Sequence, residues 1–256
     1  MFAYLCAVIL TQKPTQKKTT MSRSGILKSS LAKKYWMAAT GLFLCVFLVG
    51  HLLGNLQLFI AGPEGKLAFN EYAKFMTSNP AVKILSWVTY LSIVFHIIDA
   101  IVLSINNKKA RPQNYAYNKP SANSYWNSRN MGILGSVILI FIIVHMSNFW
   151  AKMHFDEMPM QLLDSGESMK DLHKVVMDFF NPAINSLALA AVALYVIGQI
   201  GIFLHLHHGF QSAFQTVGVN HPRYNKIIRG LGLAFSVLVP LAFASIPVYL
   251  YIIQMA

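Results

Sequence analysis

Charge is scarce in this chain, and negative charge is the scarcest. Only 12% of the 256 residues are charged, with 9 Asp and Glu against 21 Lys and Arg, while 55% are hydrophobic and the mean hydropathy is +0.48. A soluble domain carries about 25% charged residues. The composition therefore excludes an ordinary soluble enzyme and indicates a membrane protein.

Cysteine is also nearly absent. The chain has only Cys6 and Cys45, and Cys45 falls inside an apolar run, so we expect neither a zinc cluster nor a disulfide framework. No CxxCH motif is present, which excludes covalent c-type haem attachment. There is also no internal repeat, no glycine-rich phosphate loop and no Ser/His/Asp arrangement that would indicate hydrolysis.

Long apolar runs define the predicted fold. Each has roughly the 20 residues that a helix needs to cross a bilayer, and lipid favours helices because it offers the backbone no hydrogen-bond partners. The runs lie near residues 35–60, 82–105, 130–152, 182–208 and 228–253. The sequence therefore predicts an all-α membrane protein, a single bundle of five transmembrane helices.

The predicted bundle occupies residues 31–256 and follows an N-terminal tail over residues 1–30. Met21 offers an alternative start, so residues 1–20 are interpreted as a mis-called extension or a disordered tail. The tail and the second and fourth connections contain Lys and Arg without Asp or Glu, whereas the first and third connections hold most of the acids.

This charge asymmetry predicts the orientation. By the positive-inside rule, the N-terminus and the basic connections are cytoplasmic and the C-terminus lies outside. We therefore expect a multi-pass protein of the inner (cytoplasmic) membrane, in contact with lipid. The net charge of +12 is explained by topology, and no nucleic-acid partner is expected.

Histidine carries the polar chemistry of the apolar runs. Four of the nine histidines fall on four different runs: His51, His96, His145 and His205. A single membrane histidine can simply hydrogen-bond across a helix interface. Imidazole is also an axial ligand of haem iron, and bundles build cofactor sites from facing helices. Four such histidines predict two b-type haems, each with two histidine ligands.

Depth in the membrane predicts how the four histidines pair. At about 1.5 Å per residue, His51 and His145 fall in the outer half of the membrane, and His96 and His205 in the inner half. We therefore predict an outer haem held by His51 and His145 and an inner haem held by His96 and His205. His208 shares a helix face with His205 and is an alternative to it as a ligand.

Other residues near these histidines are candidates for holding haem. Gly50 and Gly54 flank His51 and would admit either a flat macrocycle or a neighbouring helix, although glycine is common in membrane helices. The haem propionates need cationic partners near the membrane surface. Lys33, Lys34 and Arg129 are the candidates at the inner side, and the alternative is that these charges only set the topology.

The order of the motifs resembles a known family. The stretches GHLLGN, FNEYAKFMTSNP, FHIIDA, VHMSNFW and LHLHHGFQSAFQTVG follow one another along the chain, and the likeness begins near residue 24. This series resembles the single-chain, dihaem cytochrome b subunit of succinate dehydrogenases and fumarate reductases. On that resemblance, the four axial ligands of the family fall on His51, His96, His145 and His205.

The resemblance implies partners and a reaction. A flavoprotein subunit and an iron–sulfur subunit would dock on the cytoplasmic face, and two haem b groups would carry electrons between the iron–sulfur subunit and a membrane quinone, with menaquinone the expected substrate. This chain would perform only the quinone half-reaction, which needs a proton donor or acceptor. Glu64 and Glu71, in the first outer connection, are the candidates, and the alternative is a solvated carboxylate.

Some features leave other interpretations open. Phe203 stands where some members of the family have a carboxylate linked to transmembrane proton transfer, so that transfer is not expected here. Asp99, on the same face as His96, is a candidate for an inner quinone or for ordering the inner haem, or it pairs with Lys108 or Lys109. The alternative functions are a cytochrome b subunit of a hydrogenase or formate dehydrogenase, and a non-haem membrane transporter.

Overall fold

A computed structural model describes residues 29–111, 113, 119–163 and 165–255. The predicted tail over residues 1–30, including the interpretation of residues 1–20, lies almost wholly outside the described residues. Cys6 lies outside them as well.

Helices make up most of the described chain. They are α1 (Ser30–Asn55), α2 (Gly62–Ser78), α3 (Pro80–Lys109), α4 (Trp126–Arg129), α5 (Met131–His145), α6 (Lys152–Phe155), α7 (Leu172–Phe179), α8 (Ala188–Thr216) and α9 (Pro222–Ile253). Short 3₁₀ turns follow α1 and precede α4, at Leu56–Phe59 and Pro120–Ala122. A π-helical segment, Met146–Ala151, joins α5 to α6.

Five helical stretches are long and apolar enough to cross a membrane. They are Ser30–Phe59, Pro80–Lys109, Met131–Phe155, Ala188–Thr216 and Pro222–Ile253. This confirms the prediction of a mainly helical protein with five potential membrane spans. The orientation of the two termini stays a prediction.

The first and third connections contain structure that the sequence did not predict. The first holds α2, which begins at Gly62, where the backbone has a φ of 79°. The third holds an antiparallel hairpin of β1 (Met160–Leu162) and β2 (Ser168–Lys170), followed by α7. α2 is amphipathic and the strands have three residues each, so neither has the long apolar run that signals a span.

The fourth span begins later and ends later than predicted. The residues just before this span form turns that Asn181 and Asn185 hold. The Asn181 side chain accepts from the Ala183 N–H at 2.9 Å. The Asn185 side chain accepts from the Leu187 N–H at 3.0 Å and donates to the Phe179 carbonyl at 2.7 Å. Asn side chains favour turns because they compete for backbone hydrogen bonds. α8 therefore starts at Ala188 and continues to Thr216, beyond the predicted end at residue 208.

Polar side chains fix where the membrane helices begin. Asn79 ends α2 and caps α3, because its side chain accepts from the N–H groups of Ala81 and Val82, and Pro80 occupies the first helical position. Ser29 caps α1 in the same way. Such caps are worth about 1 kcal/mol each. They fix the residue at which each of these apolar helices begins.

The two ends of the bundle differ in charge. We call the end with the α1–α3 and α5–α8 connections the acidic side, and the end with the α3–α5 and α8–α9 connections the basic side. α8 is the central helix and packs against α9, α5 and α1. Gly198 and Gly201 permit the contact with α5, because an added Cβ at either would meet Phe141 or Val137.

A layer of short elements covers the acidic side of the bundle. We call α2, the hairpin and α7 the cap layer. Asp171 joins its parts: its carboxylate is 2% exposed and accepts from Asn70 at 2.9 Å and from the Lys174 N–H at 3.0 Å, and it pairs with Lys66 at 2.6 Å. Asn70 also donates to Gln161 at 2.7 Å. α2, the hairpin and α7 therefore share one polar network.

This network holds Asp171 in its charged form. Burial alone raises the pKa of the carboxyl, but hydrogen bonds from Lys66, Asn70 and the Lys174 N–H, together with the charge of Lys66, outweigh burial and lower its pKa below 3.8. A lowered pKa in the folded state stabilises the fold above the pKa of the unfolded chain. That contribution is lost as the pH falls through the folded-state pKa.

We expect Asp171→Asn to loosen the cap layer by about 1–3 kcal/mol, because it removes the charge that Lys66 pairs with inside a buried network. Hydrogen exchange of residues 160–179 should accelerate accordingly, and wild-type exchange should approach that of the variant below about pH 4. Glu167→Gln is the matched control, since the Lys74–Glu167 pair is exposed and spans 3.5 Å. Equal exchange in both variants would contradict this role of Asp171.

Candidate functional site

Two histidines of different spans lie side by side near the acidic side of the membrane region. His51 is close to the end of α1, and His145 is the last residue of α5. Their ring centroids are 5.8 Å apart, with the ring planes at 83°. We call His51 and His145 the outer pair.

Aromatic side chains enclose the outer pair. Phe47 stacks on His51 with centroids 5.4 Å apart, and Phe243 of α9 approaches the same ring at 5.5 Å. His145 lies 5.7 Å from Phe141, 5.5 Å from Phe149 and 5.9 Å from Tyr195. These rings keep water from the two imidazoles and hold them in position.

The backbone beside His51 is held from two directions. The Asn55 side chain donates to the His51 carbonyl at 2.7 Å, and Tyr72 of α2 donates to the Gly50 carbonyl at 3.3 Å. A Cβ on Gly54 would overlap the Tyr72 ring, whereas a Cβ on Gly50 would meet nothing within 4 Å. Gly54 therefore admits a neighbouring side chain, and Gly50 borders open space.

A second histidine pair lies nearer the basic side. His96 of α3 and His205 of α8 have ring centroids 6.2 Å apart, with the planes at 63°. We call them the inner pair. Because α8 continues for eleven residues after His205, this ring is about 16 Å from the end of its helix. His205 is thus deeper along α8 than the sequence indicated.

Thr40 fixes the orientation of His96. The Thr40 hydroxyl lies 2.9 Å from the Trp36 carbonyl and 3.2 Å from His96 Nδ1. A hydroxyl has one hydrogen, which it donates to the carbonyl, so it accepts from Nδ1–H. His96 Nε2 is then the unprotonated nitrogen, the form that binds a metal. Gly41 makes room for this ring, since a Cβ there would lie 3.3 Å from His96 Cε1.

The spacing of both pairs fits a shared metal atom. A metal bound at about 2 Å from each of two imidazole nitrogens separates the ring centroids by about 6 Å. Edge-to-face ring packing gives about the same distance, so spacing alone does not distinguish the two. Nδ1 of His145 and Nδ1 of His205 are buried without a hydrogen-bond partner among the described residues, and this cost of burial is the same whether or not Nε2 binds a metal.

Gln199 is the third side chain with a buried polar atom that lacks a partner among the described residues, and the sequence analysis missed it. It is 7% exposed, and its Oε1 has no partner among the described residues. It lies on α8 between Tyr195, which contacts the outer pair, and His205 of the inner pair. A glutamine in an apolar run was the signal that could have identified it.

The predicted propionate partners lie on the basic side. Lys33 is half-buried and Lys34 exposed near the start of α1, and no side-chain hydrogen bond or ion pair is seen for either within the described ranges. Arg129 donates to the Pro120 carbonyl at 3.2 Å and to the Ser124 carbonyl. Its guanidinium therefore already shapes the loop before α5.

The predicted proton-exchange residues lie on α2. Glu64 is in its first turn and Glu71 in its middle, and both are exposed. Neither forms an ion pair within the part of the chain that the structure describes, where the three pairs join Lys66, Lys74 and Lys174 to other acids. Their role at a quinone stays a prediction.

The other polar residues near the inner pair differ in their surroundings. Asp99 is half-buried, and within the described residues it forms no ion pair with Lys108 or Lys109. His208 is half-buried, whereas His205 is the ring that faces His96. His207 is held at Nδ1 by Asn127 at 3.1 Å.

The site thus defines a class: a helical bundle with five potential membrane spans and two histidine pairs at different depths. No group of three or more His, Cys, Asp or Glu placed to hold a metal ion occurs among the described residues. A haem needs only two axial ligands from the protein, and the donor set of each pair fits it. No family model, curated protein or solved structure matches the chain.

Paired cysteines can test the two pairs without any assumption about function. In a background with Cys6→Ser and Cys45→Ala, we expect dibromobimane, which fluoresces after bridging two thiols, to link His51→Cys with His145→Cys and His96→Cys with His205→Cys. The control joins members of different pairs, His51→Cys with His205→Cys, and should stay dark. Fluorescence of the control equal to that of either pair would contradict the arrangement.

Proposed function

We propose that this chain is the haem-bearing membrane anchor of a succinate:quinone oxidoreductase, working as succinate dehydrogenase or fumarate reductase. The observation that supports the proposal is the meeting of four histidines, from four potential membrane spans, as two pairs with centroids 5.8 and 6.2 Å apart. The motif series from GHLLGN to LHLHHGFQSAFQTVG supports the choice of this family.

In this proposal His51 and His145 hold one b haem, and His96 and His205 hold the other. One-electron transfer between an iron–sulfur partner and a membrane quinone is the chemistry that the bound haems would supply. The protein orients the ligands: Thr40 accepts from His96 Nδ1, and Phe47, Phe141 and other rings exclude water from the outer pair. Burial and hydrogen bonding at axial ligands are means of setting a haem potential.

The charges of the two sides suggest where the partners lie. The basic side carries Lys33, Lys34 and Arg129 and would face the cytoplasm, with the flavoprotein and iron–sulfur subunits docked there. The propionates of the inner haem would lie toward these cations. The quinone, expected to be menaquinone, would react near the outer pair, where Glu64 and Glu71 are candidates for proton exchange. The succinate or fumarate chemistry would belong to the flavoprotein.

A reduced-minus-oxidised spectrum of the purified membrane protein tests the proposal directly. We expect the absorption bands of b-type haem and two haems per chain by pyridine haemochrome assay. His51→Ala or His145→Ala should remove one haem, and His96→Ala or His205→Ala the other. His221→Ala is the control, because that residue is exposed on the basic side, and it should retain both.

A chain without haem would overturn the proposal and return the four histidines to packing or proton relay. Copurified flavin and iron–sulfur subunits with succinate-dependent haem reduction would favour this family over the cytochrome b subunits of hydrogenases and formate dehydrogenases. Haem reduction by hydrogen or formate would favour those alternatives.

Thr40→Val should weaken the inner site alone, because it removes the acceptor that orients His96. Changes to hydrogen-bond partners of metal-bound histidines commonly cost about 10–100-fold in metal affinity. We expect faster loss of one haem to an excess of a haem-binding protein, together with a shifted potential for that haem. Thr40→Ser is the matched control and should behave as wild type. If Thr40→Val instead loses the outer haem faster than wild type does, this role of Thr40 is contradicted.

A further inference from the structure

An aromatic cluster joins α3 to the third span at the acidic side of the membrane region. The indole of Trp150 lies 2.8 Å, N to O, from the Tyr90 hydroxyl, and their ring centroids are 5.9 Å apart. His154 stacks on Trp150 with centroids 4.5 Å apart, and Trp87 meets the edge of Tyr90 at 5.8 Å. We call these four residues the Trp150 cluster.

The hydrogen bonding of the cluster leaves one strong donor unused. An indole N–H can only donate, so Tyr90 accepts from Trp150. The Tyr90 O–H is then free to donate, and no acceptor for it is seen among the described residues. A hydroxyl that already accepts a hydrogen bond is polarised and donates more strongly. Tyr90 is therefore prepared to bind a carbonyl oxygen.

His154 offers a group that can exchange a proton. Its Nδ1 is 2.8 Å from the Trp150 carbonyl, and a carbonyl can only accept, so Nδ1 carries a hydrogen. The other nitrogen, Nε2, is then free to take up or release a proton. His154 is exposed, which gives it access to water. The charged groups around it are Lys152, Asp156 and Glu157 of its own segment and Lys170 of β2, whose Nζ binds the Met153 carbonyl.

The cluster is connected to the outer pair through the π-helical segment. Phe149 lies 5.5 Å from the ring of His145 and is followed directly by Trp150. π-Helical turns are rare and are frequent at functional sites. In this segment Phe149 contacts His145 of the outer pair, and the next residue, Trp150, contacts Tyr90 of α3.

The cluster is exposed at the outer surface of the helices. Trp87 is 68% exposed, and Ile84 and Leu91 of the same helix are also exposed. Tyr and Trp are enriched at membrane interfaces as anchors. Anchoring does not require a Trp–Tyr hydrogen bond between two spans or a stacked histidine with one nitrogen held. The cluster therefore presents an aromatic surface, a hydroxyl donor and a proton-exchanging group to a ligand that arrives from the bilayer.

We propose that the Trp150 cluster binds the headgroup of the membrane quinone, with the Tyr90 hydroxyl donating to a quinone carbonyl and His154 exchanging protons. This inference rests on the proposed function, since it assigns the quinone site of that reaction. Planar quinoid rings stack well on aromatic faces. A quinone carbonyl also supplies the acceptor that Tyr90 lacks.

The reaction balances with the groups named. Each quinone takes up two electrons and two protons to become quinol. The electrons come from the iron–sulfur partner of the proposed complex. His154 releases each proton from Nε2 to a quinone oxygen and recovers it from water on the acidic side. Glu64 and Glu71 on α2, the carboxylates predicted for proton exchange, make no described contact with this cluster, so the two assignments can be separated by experiment.

Binding of 2-methyl-1,4-naphthoquinone to the full complex in lipid nanodiscs tests the site. Equilibrium dialysis against empty nanodiscs corrects for partition into lipid. We expect Tyr90→Phe and Trp150→Phe each to raise the Kd by about three- to tenfold, as the loss of one hydrogen bond implies. Trp126→Phe is the control, because Trp126 lies at the basic side, and its Kd should equal that of wild type. Haem content reports whether each variant has folded.

Quinone turnover tests His154. Glutamine is polar but cannot exchange a proton, so His154→Gln should lower turnover while leaving the Kd within about twofold. If His154→Gln keeps wild-type turnover while Glu64→Gln or Glu71→Gln lowers it, the proton role of His154 is overturned.

The outcomes for the site and for the proposed function are distinct. Wild-type Kd values in both Tyr90→Phe and Trp150→Phe, in a complex that retains haem and turnover, would overturn the quinone site and leave the function standing. A wild-type complex without haem or quinone turnover would overturn the function. Binding needs no electron transfer, so dialysis would still decide whether the cluster holds a quinone. If Trp150→Phe loses haem, the Kd of Tyr90→Phe and the turnover of His154→Gln decide the test.

Discussion

An imidazole inside a bilayer has no water to bind, so each of its nitrogens must find a partner in the protein or in a bound group. Four spans of this chain each carry such a ring. The rings meet in two pairs, α1 with α5 and α3 with α8. Each pair ties together two spans that are not consecutive in the chain. The closely packed helices are others, α8 with α9, α5 and α1, and α1 with α3, so each histidine pair faces across the bundle.

The central position of α8 depends on small residues as much as on His205. Gly198 and Gly201 bring α5 close, which carries Phe141 and then His145 against Tyr195 of α8. A larger residue at Gly198 would push Phe141 away, and the outer pair would lose part of its aromatic enclosure. The inner pair is held differently, by a Thr40 hydroxyl and the space beside Gly41. One pair is thus enclosed by rings, and the other is oriented by a hydrogen bond.

The spans could be predicted from the sequence because hydropathy over about 20 residues is a strong signal. The pairing could also be predicted from depth, since the rise per residue of a helix converts sequence position into distance. It placed His51 near His145 and His96 near His205. The cap layer could not be predicted, because α2 lacks a long apolar run, the strands have three residues each, and all are held by tertiary contacts such as Lys66–Asp171. The π-helical segment after His145 and the Trp150–Tyr90 hydrogen bond depend on tertiary packing, which no local pattern reports.

Chemistry is distributed unevenly between the two sides of the membrane region. At the acidic side the aromatic enclosure, the π-helical segment and the cap layer meet, and the buried Asp171 network joins α2 to the hairpin and α7. β2 in turn reaches the third span, since Lys170 binds the Met153 carbonyl beside His154. Rigid support is what a site needs when it must hold a ligand at a fixed distance from a neighbouring group. At the basic side, Arg129 and Asn127 donate hydrogen bonds to backbone carbonyls and hold the connection before α5 in place. Under the proposed function, quinone chemistry would occur on the acidic side and association with the partner subunits on the basic side.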